Sequence, residues 1–365
     1  MNNKIKAVAL AVLGTCAFGV QAQSSITLQG LVDVNVQNIK RSGTGYLPGE
    51  RTSQTSMDSN GMTTSWWGLS GTEALGGGFR AVFALQGFFR PDTGEGGRFG
   101  TTDILFKRAA SAGLEHSSYG RLILGRQSTH YFLSTVQTNP FGDSFGFSPA
   151  ILNTFGTALG GGLGVRYARD RFLLGDSGWS NAVQYATPSF KGFSAAVMWS
   201  ANSISNGQED GTQAGRAVSG QAFYRGGPFV ATAVYQDLRP NAIDQIQKSL
   251  MVGGAYDLKV VRLFVQYFDM DTRQAAGTDA DIGWQLGASV PFAGGKHNLL
   301  ASYFMMATDA QTGPTVEEER TTWAVGYRYD VSRRTDLYAV FLNDELEATA
   351  PKERRSIGLG MRHRF

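Results

Sequence analysis

The chain contains little that usually stabilises a soluble or secreted protein. Cys16 is the single cysteine among 365 residues, and Asp, Glu, Lys and Arg together make up 17%, against about 25% in soluble proteins. Beyond residue 22, no uncharged apolar run reaches the ~18 residues that a membrane-spanning helix requires. These absences exclude a disulfide-stabilised fold and a helical membrane protein.

The charge balance excludes a nucleic-acid partner. There are 33 Lys and Arg residues against 30 Asp and Glu residues, and two of the basic residues, Lys4 and Lys6, lie at the N-terminus. No basic cluster or stripe of the kind that follows a phosphate backbone is present.

Residues 1–22 have the organisation of a secretory signal peptide. Lys4 and Lys6 precede the apolar stretch 7–20, and the segment ends with small residues at Val20 and Ala22. We expect cleavage after Ala22, so that residues 23–365 form the mature protein. A lipid anchor on Cys16 is the alternative, but Thr15 stands where a lipidation signal has Gly or Ala.

The chain is rich in glycine, with 47 residues, and in aromatic residues, at 12%; beyond residue 22 it alternates between apolar and polar positions. A period of two predicts β-strands. Sixteen strands are predicted, near residues 26–37, 65–72, 79–90, 103–115, 120–127, 179–187, 193–200, 217–225, 229–237, 248–257, 261–269, 281–290, 296–305, 320–330, 335–343 and 355–365.

The connections between these strands alternate in length. Short turns rich in Gly, Pro and charge, such as 225–228 and 257–260, are followed by long polar loops, such as 201–216 and 306–319. Short turns at one end, long loops at the other and an even strand number favour a transmembrane β-barrel with a wet interior. A soluble all-β protein would explain the alternation but not the asymmetry of the connections.

One connection, residues 128–178, is far longer than the others. It includes Phe141, Phe145, Phe147 and Phe155, which are too apolar for a disordered loop. We therefore expect this segment to be buried, and the inside of a wide barrel offers the space.

Sites for chemistry are absent from the sequence pattern. None of the four histidines is spaced as a metal pair, and 160–164 lacks the Lys-Ser/Thr of a phosphate-binding loop. The sequence therefore predicts no catalytic residues, no metal and no cofactor. Trp66 and Trp67 fit equally well with ligand stacking and with an interfacial aromatic girdle.

Four segments resemble the Gram-negative general porins, in particular the trimeric porins of beta-proteobacteria. They are GLSGTEALGGGF at 68–79, YGRLILGRQ at 119–127, NAVQYATPSFKGF at 181–193 and the terminal GLGMRHRF at 358–365. The resemblance covers essentially the whole mature chain. It implies an all-β, 16-stranded antiparallel barrel in the outer membrane, a homotrimer in contact with lipid and lipopolysaccharide, and a long third loop folded into the lumen. The terminal aromatic residue, Phe365, is similar to the signal by which such barrels are recognised for insertion.

The resemblance also implies a constriction in which wall cations face carboxylates of the loop. Arg108 corresponds to one of the family's basic positions, but Trp66 and Gly178 stand where two others are expected. Further candidates for the constriction are Arg80, which faces the lumen by strand parity, Arg126, and Asp143, the single carboxylate between residues 128 and 165. Whether Arg166, Arg169 or Arg171 replace the missing arginines stays open.

The sequence thus predicts an outer-membrane porin that lets small hydrophilic solutes and ions diffuse passively, with a mild preference for anions because the wall cations outnumber the loop carboxylates. An outer-membrane adhesin or a barrel enzyme that uses the long loops is the alternative.

Overall fold

The computed structural model describes residues 24–43, 53–98, 103–155, 176–201, 215–239, 246–275, 277–310, 316–347 and 352–365. Within these ranges the backbone forms strands β1 (Ser24–Gly43), β2 (Ser53–Ser59), β3 (Trp66–Gly76), β4 (Phe79–Arg90), β5 (Glu95–Gly96), β6 (Ala109–His116), β7 (Gly120–Ser128), β8 (Gly178–Ala186), β9 (Phe193–Ala201), β10 (Arg216–Gly226), β11 (Phe229–Arg239), β12 (Ile246–Asp257), β13 (Arg262–Gln274), β14 (Gly277–Phe292), β15 (His297–Ala310), β16 (Val316–Asp330), β17 (Thr335–Glu347) and β18 (Lys352–Arg364). The two helices are α1 (His130–Gln137) and α2 (Pro149–Phe155).

The strands close into an antiparallel barrel. Strand β1 pairs with β3 through residues 24–31 and with β18 through residues 31–43, which joins the two ends of the chain. Strand β2 pairs with the far half of β1, and β5 with the last two residues of β4, so neither adds a further wall strand. The other sixteen follow one another around the wall, which confirms the predicted sixteen-stranded barrel.

One predicted strand begins later than expected. The sequence pattern placed a strand at 103–115, whereas β6 begins at Ala109. Residues 103–108 form a turn because the Lys107 N–H donates to the carbonyl of Ile104 over 3.1 Å, and Asp103 accepts from the Arg98 guanidinium. Local side-chain hydrogen bonds of this kind compete with strand pairing.

The two faces of the wall differ in polarity. On β13, Val265 and Tyr267 are 51% and 39% exposed on one face, while Gln266 and Phe268 are fully buried on the other. The same alternation continues around the barrel, with Gln236 and Gln285 at 0% exposure on the buried face. An apolar outside and a polar inside are what a strand needs between lipid and water.

The connections separate the two ends of the barrel. One end has the short turns at 77–78, 117–119, 187–192, 227–228, 258–261, 293–296 and 331–334, here called the short-turn end. The tightest uses Gly77 and Gly78, whose φ angles of 60° and 85° lie in the left-handed region that favours glycine. Neither of the described helices is long and apolar enough to cross a membrane.

Candidate pore constriction

The first half of the long segment is ordered by its own helix signals. Helix α1 begins after Thr129, whose hydroxyl accepts the Phe132 N–H over 3.1 Å, as an N-cap residue does. Helix α2 begins with Pro149, a residue suited to the first turn because it lacks an N–H that would go unpaired there. The loop glycines at 160–164 and residues Arg166, Arg169 and Arg171 lie outside the described residues.

An apolar cluster attaches these helices to the wall. Tyr131, Ile151 and Phe155 pack with Phe268 and Phe304, all five being almost fully buried. Burying an aromatic or aliphatic side chain of this size contributes roughly 1.5–3 kcal/mol. The aromatic residues that argued against a disordered loop are therefore the ones that bind it to the barrel.

Polar contacts tie the same segment to the buried face of three strands. The Ser134 hydroxyl lies 2.9 Å from that of Thr232 on β11, and the Gln266 amide on β13 donates to the Thr135 carbonyl over 2.8 Å. The Asn153 amide in α2 donates to the Thr322 hydroxyl on β16 over 2.9 Å. The segment thus contacts the polar face of the wall, opposite to the exposed apolar face.

Trp66 and Arg108 lie together at the start of β3 and β6. The Arg108 guanidinium sits over the Trp66 ring at 4.1 Å from its centre, and it also donates to the Gln86 side-chain carbonyl. The Arg108 N–H bonds the Gln86 backbone carbonyl over 3.1 Å, which fixes the base of the side chain. A cation held on an indole face is attracted by the ring quadrupole, so the ring orients this arginine.

Asp143 reaches the wall through one threonine. The Thr63 hydroxyl donates to the Asp143 carboxylate over 3.0 Å and accepts from the Arg362 guanidinium on β18 over 2.9 Å. Arg362 also pairs with Asp336 at 2.9 Å. Two sequence-predicted residues, Arg108 and Asp143, are close enough to interact electrostatically.

A buried carboxylate that the sequence reasoning missed positions this threonine. Asp33 on β1 accepts the N–H groups of Met62 and Thr63, each over 2.8 Å, and the Tyr338 hydroxyl over 2.6 Å. The segment between β2 and β3 is thereby held at the wall. Its signal in the sequence is a carboxylate on the polar side of the first strand, where the other residues up to Gln37 are uncharged.

Arg126 belongs to a different group of charges. Its guanidinium donates to Asp176 over 2.7 Å and to the Ser180 hydroxyl over 3.0 Å. Asp176 also accepts from the Arg98 guanidinium over 2.8 Å and lies 3.4 Å from the Lys107 ammonium. Burial alone would raise the pKa of Asp176, but the facing cations outweigh it and hold the pKa far below its ordinary range.

Arg126 also occupies space that a larger residue would fill. One of its nitrogens lies 3.6 Å from the position that a Cβ of Gly178 would take. Gly178 stands where the family resemblance led us to expect an arginine. The Arg126 side chain lies beside Gly178, and Asp176 neutralises its charge.

Arg80 lies apart from the other predicted residues. It lies on the same side of β4 as Gln86 but six residues before it, near the start of the strand. At roughly 3.3 Å per residue, about 20 Å separate the two positions. There it pairs with Glu115 at 3.0 Å, and both side chains are substantially exposed. The structure therefore groups Arg108, Trp66 and Asp143 and leaves Arg80 at the short-turn end.

The C-terminal residue completes the barrel closure. The backbone N–H and carbonyl of Phe365 each bond to Gly30 on β1 over 3.1 Å. Its ring covers Gly30 so closely that a Cβ there would lie 2.5 Å from it. Ala22, the expected cleavage site, lies outside the described residues.

A closed antiparallel barrel with an apolar outside and a polar inside defines the transmembrane pores of bacterial outer membranes. The chain belongs to the Gram-negative porin family, whose model matches residues 8–349. It is an outer-membrane porin.

Known porins are similar to this chain over nearly its whole length. An outer membrane porin protein of Bordetella pertussis is 29% identical, and outer membrane porin protein 32 of Delftia acidovorans is 27% identical; each match covers 98% of this chain and 99% of the relative. Among solved structures, an anion-selective porin from Comamonas acidovorans matches with a TM-score of 0.75 and 24% identity, over 94% of this chain and 100% of that one.

Proposed function

We propose that the chain is a passive diffusion channel with a weak preference for anions, whose narrowest part is formed where residues 128–155 approach Trp66 and Arg108. The packing of this segment on the polar face of the wall supports a position inside the lumen, as the family resemblance implies. Solutes move down their gradients and no catalytic step is involved.

The observation that carries the anion preference is the arrangement of charges around Arg108. Its guanidinium is held by the Trp66 ring and the Gln86 side-chain amide, both uncharged, so its positive charge is not neutralised by them. The Asp143 carboxylate accepts from the Thr63 hydroxyl and also interacts electrostatically with Arg362. Arg362 is balanced by its pair with Asp336, whereas Arg108 forms no ion pair within 4.0 Å among the described residues and adds fixed positive charge to the constriction. Fixed positive charge favours anions, and because Asp143 lies close enough to offset part of it, the preference is weak.

Reversal potentials across a planar bilayer in a KCl gradient test this proposal. Arg108→Ala should shift the reversal potential toward cation preference, and Arg80→Ala, which removes the same charge from an exposed ion pair, should shift it much less. A wild-type channel that prefers cations, or equal shifts for the two variants, would contradict the proposed constriction.

We further propose that three copies assemble and that the mature chain starts at Gln23. The exposed apolar side chains around the wall, such as Val265 and Leu359, suit contact with lipid and with neighbouring barrels. Mass measurement in mild detergent should give three copies, each lacking residues 1–22. A conducting monomer or an N-terminus at Cys16 would refute these two points.

A further inference from the structure

A cleft of about 620 Å³ lies between residues 136–142 and the inner wall at the short-turn end. Four cations line it, Arg225, Lys259, Arg262 and Arg328, and we call it the basic cleft. Arg225 is the last residue but one of β10, Lys259 lies in the turn between β12 and β13, and Arg262 begins β13. The cations thus converge from separate strands and turns on one space.

Three of these charges are not neutralised. Arg328 pairs with Asp330 at 2.9 Å, but in the part of the chain that the structure describes, Arg225, Lys259 and Arg262 form no ion pair within 4.0 Å. Asp257 is the only described carboxylate lining the cleft, and it accepts the backbone N–H of Lys259 over 2.7 Å. The cleft therefore carries an excess of positive charge.

The arginine side chains are supported by aromatic rings. The Arg262 guanidinium lies 5.0 Å from the centre of the Phe264 ring, and that of Arg225 lies 5.4 Å from the centre of Phe223. Arg225 also approaches the Gln137 side-chain carbonyl at 3.5 Å. Such contacts restrict long side chains in advance, which lowers the entropy lost when they bind a ligand.

Apolar side chains line part of the cleft, beside the polar Asn139, Ser289 and Asn298. Val136, Pro140 and Leu300 line it together with Phe264. Pro140 packs so tightly on the wall that a Cβ on Gly287 would lie 2.7 Å from its ring. The cleft therefore combines fixed cations with a preformed apolar surface.

We propose that the basic cleft binds small organic anions that carry two or three carboxylates. A single negative charge would leave cations without a counter-charge, whereas two or three carboxylates match Arg225, Lys259 and Arg262. The apolar part of the lining favours a hydrocarbon framework over an inorganic anion. This inference rests on the proposed function, since it gives the diffusion channel a solute site at one mouth.

Blocking of the chloride current tests the site. Wild-type protein is inserted in one orientation in a planar bilayer at about 0.1 M KCl, where charges are moderately screened. Benzene-1,3,5-tricarboxylate or citrate is then added on one side of the bilayer at a time. We expect partial block at low concentration, stronger from the short-turn side. Benzoate and inorganic phosphate should block much more weakly.

Variants assign the block to the basic cleft. Arg225→Gln and Arg262→Gln should each raise the blocking concentration by about tenfold, because each removes one charged contact with the anion; tenfold corresponds to about 1.4 kcal/mol. Lys191→Gln removes the same charge from another short turn that does not line the cleft, and should leave the block unchanged. Arg262→Lys, which keeps the charge, should retain part of it.

The outcomes separate this inference from the proposed function. An open channel with equal block from both sides, equal block by phosphate and tricarboxylate, or equal effects of Lys191→Gln and Arg262→Gln would overturn the site while the channel stands. A wild-type protein without any current would overturn the channel function itself.

Discussion

The buried charge cluster around Asp176 gives the sharpest test of the structure. Asp176 is 7% exposed and faces Arg98, Lys107 and Arg126, whose side chains are 2–5% exposed. Asp176→Asn keeps the shape of the side chain but removes the carboxylate that these three cations share. Breaking a buried ion pair by removing one partner costs about 3–5 kcal/mol.

A loss of this size corresponds to a fall of about 6–10 °C in Tm, at about 2 °C per kcal/mol for a chain of this length. The measurement is loss of the β-sheet circular dichroism signal on heating in detergent, at one fixed scan rate. Glu115→Gln is the matched control, because it removes one carboxylate from the exposed pair with Arg80 and should cost at most about 1 kcal/mol.

A second variant and a pH series check the cause. Adding Arg126→Gln to Asp176→Asn should recover part of the lost Tm, since one of the stranded cations is then gone. The pKa of Asp176 is lowered in the folded protein, so its contribution is complete above the unfolded pKa of about 3.9 and is lost only as the pH falls through the lower folded pKa. Equal Tm shifts for Asp176→Asn and Glu115→Gln would refute the reasoning.

Two further predictions concern the long segment and the barrel closure. Burial lowers the pKa of His130 from 6.5 to about 4, so the unfolded state binds more protons between these values. Stability should therefore fall by up to about 3 kcal/mol as the pH drops from 6.5 to 4. His130→Gln should flatten this Tm profile, and an equally steep profile in the variant would contradict the reasoning. A Cβ at Gly30 would lie 2.6 Å from the Trp66 carbonyl oxygen, so Gly30→Ala should destabilise the barrel by about 1–3 kcal/mol and lower the yield of folded protein. Gly220→Ala is the control, because a Cβ there would meet nothing within 4 Å, and this variant should fold like wild type. Equal yields for the two variants would contradict the closure around Phe365.

The barrel could be predicted because its signals are local. Alternation along β13 or β14 follows from one face meeting lipid and the other water, and each strand shows it without knowledge of its neighbours. Strand ends were less accurate: the start of β6 depends on the turn at 103–108 and on the contact of Asp103 with Arg98, which the period of two does not reveal. Helices α1 and α2 were missed, although Thr129 and Pro149 are recognisable helix-start signals.

The candidate site was harder to predict because charge partners are distant in sequence. Arg108 was a candidate because it matches a basic position of the family, and Arg126 because it is a basic residue just before the long segment; neither pattern showed which of the two keeps its charge free. In the folded chain, Asp176 neutralises Arg126 from 50 positions away, while Arg108 rests on Trp66 and keeps its charge available. The tryptophan that stands in a family arginine position therefore has a physical role: it supports Arg108, the cation that lies just before β6. Which arginine sets the ion selectivity depends on which carboxylates lie beside it in the folded chain, and strand parity alone does not reveal those contacts.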